Sequence, residues 1–76
     1  MFCVFELLQT PIDHDPRILK FEVVSTPAEA DKKVKEFIKA FLEVFDCEVY
    51  PGEGKDEPEV VLSNDDVTGL IYKREY

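Results

Sequence analysis

The segment from Thr26 to Phe45 predicts an amphipathic helix, and the rest of the chain must fold around it. Thr26-Pro27-Ala28-Glu29 supplies a hydroxyl N-cap, proline at the first helical position and glutamate three residues after the cap. The Thr26 side chain is placed to accept from a free backbone N–H of the first turn, and Glu29 to reach back to the N–H of the cap. Val34, Phe37, Ile38, Phe41, Leu42 and Phe45 then recur at steps of three and one, a single apolar stripe at the helical period. Lys32, Lys35, Lys39, Glu36 and Glu43 fall on the other side. Glu29 with Lys33 and Asp31 with Lys35 are expected to pair at i,i+4.

The flanks are strand-like. Residues 2–8 and 18–24 are rich in β-branched and aromatic residues, and Pro11, Asp13, Asp15 and Pro16 between them break regular structure. They predict a hairpin with a long loop. Leu19, Phe21 and Val23 alternate with Lys20 and Glu22, so the apolar set is expected to face the core, with Cys3, Phe5 and Leu7 on the same side. After the helix, Glu48-Val49-Tyr50, Glu59-Val60-Val61-Leu62 and Val67 to Lys73 are further strand candidates, with Ser63-Asn64-Asp65-Asp66 as a turn. The order is β-β-α-(β)-β-β. The fold class predicted is α+β, a two-layer sandwich of four to five antiparallel strands with one helix across one face, in a single domain over residues 1–76.

Composition agrees with a folded chain: 76 residues are 45% hydrophobic and 12% aromatic, against the poverty in such residues of acidic disordered segments. The opening Met1-Phe2-Cys3-Val4-Phe5 is cut by Glu6 and is expected to be strand, with no leader, no membrane segment and a cytoplasmic location. Cys3 and Cys47 lack metal-type spacing and are expected to be free thiols, a single bridge between them being the alternative.

Catalytic chemistry finds little to work with. His14, the lone histidine, lies in Asp13-His14-Asp15-Pro16, where adjacent side chains rarely converge on one ion. Ser25 or Ser63 with His14 has no triad-like setting, and Cys3 or Cys47 with His14 is the least remote nucleophilic pairing. Gly52-Glu53-Gly54-Lys55 lacks the phosphate-loop pattern and leads into Asp56-Glu57-Pro58, so it predicts a turn. Neither a cofactor nor a metal is expected, and the chain is expected not to be an enzyme.

Charge is the stronger signal. Nine acids lie between Glu43 and Asp66 (Glu43, Asp46, Glu48, Glu53, Asp56, Glu57, Glu59, Asp65 and Asp66) against one base, Lys55, while the remainder is electrically neutral. The net charge of −8 therefore belongs to one third of the chain. Acidic surfaces aid solubility; a focused one also steers toward basic clefts. Glu48, Glu53, Asp56, Glu57, Glu59, Asp65 and Asp66 are the expected contacts for a partner protein with a basic surface, and direct nucleic-acid binding is not expected. One helix covers one face of a sheet, so Phe2, Val4, Leu8, Ile18 and Val24, on the back of the first hairpin, are the expected self-association surface.

In size, charge and layout the chain resembles the small inhibitors that phages and mobile elements make against bacterial immune or nucleic-acid enzymes, anti-CRISPR proteins among them; no motif carries the resemblance. It implies an acidic inhibitor or decoy, a DNA mimic docking on a nucleic-acid-binding surface. The alternative is a homodimeric structural or regulatory module without an inhibitory role.

Overall fold

A computed structural model describes residues 1–10, 17–52 and 58–76. The His14 loop, and Glu53, Gly54, Lys55, Asp56 and Glu57, lie outside the described residues. Strands β1 (Phe2–Gln9) and β2 (Arg17–Val24) precede helix α1 (Pro27–Val44), which is followed by β3 (Glu48–Pro51), β4 (Val60–Ser63) and β5 (Thr68–Glu75). The five strands form one sheet in the order β2-β1-β5-β4-β3, antiparallel at every pairing. This is the predicted α+β layout, with the bracketed third strand present.

The helix begins where its capping signals place it. Thr26 Oγ1 accepts from the Glu29 backbone N–H at 3.2 Å, and Pro27 occupies the first turn, where no N–H is needed. Of the apolar stripe, Phe37 and Phe41 are buried together with Ala30, and Val34, Ile38 and Phe45 pack against them, while Leu42 is 40% exposed. Each buried phenylalanine stabilises the fold by about 1.5–3 kcal/mol. The expected i,i+4 pairs give way to others. Lys33 pairs with Glu36 at 3.3 Å, and Asp31 takes Lys73 of β5 at 2.9 Å, an ion pair that ties helix to sheet.

Residues opposite one another on antiparallel strands share a face. Val4 lies between Glu22 and Lys73, and Glu6 between Lys20 and Ile71; both belong to the helix-covered face. The core there is Val4, Val24, Leu62, Val67 and Ile71 under Ala30, Phe37 and Phe41. The other face carries Phe21, Phe5 and Tyr72 in one row, and Ile18, Leu7, Leu70, Val61 and Tyr50 in the next.

The first hairpin is thus turned over relative to expectation. Leu19, Phe21 and Val23 are 45–59% exposed, and Phe5 and Leu7 lie on the open side. Of the expected self-association set, Val4 and Val24 are core, Phe2 and Leu8 pack against it, and only Ile18 is exposed. Two causes combine. Both pleats of β1 are apolar, so β1 does not choose a face. β2 is an edge strand at the rim of the helix layer, where a long polar side chain fits: Lys20 lays its ammonium 5.5 Å from the centre of the Phe37 ring.

Among the described residues, no helix is long and apolar enough to cross a membrane.

Candidate functional site: the acidic end and the open sheet face

Asp46, Glu48, Asp65 and Asp66 gather where the helix ends and the short β3–β4 hairpin begins. Val44 closes α1 with no basic residue in its last turn, and Phe45 returns its N–H to the Phe41 carbonyl. Asp46 follows at once, a negative charge beside the negative end of the helix dipole. The β3–β4 register sets Glu48 opposite Ser63, and the next turn brings Asn64 to Asp46, whose carbonyl accepts from the Asn64 amide at 2.9 Å.

That turn is stapled by its own asparagine. Asn64 Oδ1 accepts from the N–H groups of Asp66 and Val67 at 2.7 and 2.8 Å, and the Asn64 N–H reaches the Val67 carbonyl at 3.0 Å. Asn64 so consumed, Asp65 and Asp66 are left exposed at the tip.

Asp46, Glu48 and Asp65 thereby line one open concavity of about 490 Å³ with Cys47, Tyr50, Ser63 and Asn64. The Tyr50 hydroxyl donates to the Glu48 carboxylate, and this bond with the Glu48 charge pushes the phenol above its usual pKa. Among the described residues, no base lines the concavity. Three carboxylates together suit an ammonium or guanidinium group. Of the partner-contact residues expected from sequence, Glu48 and Asp65 meet here, Asp66 adjoins Asp65, and Glu59 is exposed beside β4; Glu53, Asp56 and Glu57 are outside the described residues. Asp46, Asn64 and Tyr50 were not in that set. The signal for Asn64 was legible in its place at the head of an Asn-Asp-Asp turn.

Cys47 is half-buried and unbridged, and desolvation together with the Asp46 charge raises its thiol pKa, away from the reactive thiolate. Burial raises Cys3 in the same direction. Among the described residues, no group of three or more His, Cys, Asp or Glu side chains is arranged to hold a metal ion.

The second surface is the open sheet face. Phe21, Phe5 and Tyr72 run across β2, β1 and β5 as a stacked ladder, with ring centroids 6.4 and 5.0 Å apart and planes within 22° and 10°. The Arg74 guanidinium lies 5.0 Å from the centre of the Tyr72 ring. Alternation in the sequence does not announce this ladder, because it directs Phe5 and Phe21 toward the core.

Comparison with protein-family models, with curated proteins and with solved structures finds no match for the chain.

Proposed function

We propose that this protein is a small binding domain that docks its acidic end on a basic surface of a partner protein. Its specific form is inhibition: the chain occupies a surface that otherwise holds nucleic acid, a decoy of the kind phages direct at bacterial defence enzymes. The observation that supports this is the convergence of Asp46, Glu48 and Asp65 on one concavity with no base among its described lining residues, within the segment that holds the whole net charge. Duplex DNA presents about one charge per 1.7 Å of axis, so a rigid cluster of carboxylates competes for the same lysines and arginines. Asp66 adjoins this cluster, and Glu59, with Glu53, Asp56 and Glu57 of the same acidic segment, completes the proposed set of partner contacts.

A pull-down from native host lysate tests it, run at low and high salt with the wild type and with a variant carrying Glu48→Gln, Glu59→Gln, Asp65→Asn and Asp66→Asn. The expected result is a basic partner retained by the wild type at low salt, and lost both at high salt and with the variant. A partner held equally under all three conditions contradicts the proposal.

A further inference from the structure

Among the described strands, none pairs with the outer side of β2, at the sheet edge away from the acidic concavity. β2 is outermost, eight residues long, and exposed along its length except at Val24; Ile18 is 64% and Phe21 59% exposed. A long apolar edge strand is a template for another strand. We infer that this strand is a second copy of β2, paired antiparallel about a two-fold axis at Phe21, so that two chains form one ten-stranded sheet.

Self-complementarity selects both the occupant and the register. A two-fold axis normal to the sheet must pass through a residue facing its own copy. Centring on Leu19 places the axis on the irregularity of the β1–β2 ladder, where Glu6 faces Lys20 and Leu7 already faces Ile18. Centring on Lys20 or on Glu22 sets like charges directly opposite, which is destabilising. Centring on Phe21 sets Lys20 opposite Glu22 twice and Leu19 opposite Val23 twice, and uses the regular run on either side of the axis.

The two faces agree with that choice. Lys20 and Glu22 share the helix-covered face, so their pairs form at its rim. Phe21 faces outward, so the ladder of Tyr72, Phe5 and Phe21 continues across the seam into its copy, at the strand spacing of about 4.8 Å. Charge agrees as well. β2 carries two bases and one acid, whereas the acidic concavity lies on β3 and β4 at the other side of the sheet. Joining two chains through β2 keeps their negative ends apart, which no pairing through β3 does.

Sedimentation equilibrium across a wide concentration range tests this. The expected mass is twice the 8.8 kDa of one chain. Phe21→Lys is expected to weaken association at least tenfold, with far-UV circular dichroism unchanged because the ring is largely exposed. Glu22→Lys and Lys20→Glu are each expected to be monomeric alone, since each sets like charges opposite, and to form a heterodimer when mixed. If Lys20→Glu fails to fold, Phe21→Lys and Glu22→Lys still decide. A wild type that stays at one chain's mass overturns the inference and leaves the edge to an extended segment of another protein. A dimer untouched by Phe21→Lys and Glu22→Lys also overturns it, placing the second copy elsewhere.

Discussion

The ring of Phe41 rests on the bare backbone of Gly69: a Cβ at that position would stand 2.8 Å from Cε2 and Cζ. Gly69 has no positive φ, so the glycine is there for this close approach and not for a turn. Gly69→Ala is predicted to destabilise the fold by about 1–3 kcal/mol through overpacking. Phe41→Leu placed in the Gly69→Ala background should cost less than it does in the wild type, a coupling that urea denaturation of the four proteins reads directly.

Glu6 is buried beneath the helix, 1% exposed, and its Oε2 has no hydrogen-bond partner among the described residues. Burial holds its carboxyl above the usual pKa, partly offset by the Lys20 charge. The folded chain therefore binds this proton more tightly than the unfolded chain. Stability from Glu6 is lost as pH rises from the ordinary value of 4.5 through the raised one. Glu6→Leu is predicted to stabilise the protein by about 1–3 kcal/mol at about pH 7, the cost of one unsatisfied buried acceptor. That advantage should shrink as pH falls toward 4.5. A gap independent of pH would show that Glu6 does not titrate differently on folding.

Asp31 has the opposite sign. The hydrogen bond and charge of Lys73 hold its carboxyl below the usual 3.8. Its contribution is present above that value and lost as pH falls through the depressed one. Carbon-detected NMR titration should find Asp31 low and Glu6 high in the same sample, with Lys73→Met returning Asp31 toward its ordinary value. An Asp31 that Lys73→Met leaves unmoved would remove the ion pair from the account of how the helix is held.

The N-cap is a single hydrogen bond with a standard cost. Thr26→Ala is predicted to lower stability by about 1 kcal/mol, and Thr26→Ser to retain most of it. Thermal or urea unfolding of the two variants checks the difference.

Local signals carried most of the fold. The hydroxyl, proline and glutamate at residues 26–29 located the helix start, and the Asn64 turn separated β4 from β5, because each is a backbone requirement met by adjacent residues. The facing of the first hairpin was not local. The alternation of Leu19, Phe21 and Val23 with Lys20 and Glu22 is genuine, but at an edge strand the polar set can lie under the helix rim. Val24, joined to the helix by only Ser25 and Thr26, held the better clue, since so short a link turns it toward the core. The acidic segment was visible as composition. That Asp46 and Asp65 share one concavity depends on Asn64 reaching the Asp46 carbonyl, which no spacing in the sequence announces.

We propose that the acidic end occupies a polyanion-binding surface of its partner. The direct measurement is competition: duplex DNA titrated into the complex with the captured partner, with affinity followed against salt concentration. We predict that DNA displaces the chain, that affinity falls as salt rises, and that both effects weaken when Glu48, Glu59, Asp65 and Asp66 are amides. A complex that binds DNA and this chain together, with an affinity indifferent to salt, would contradict it.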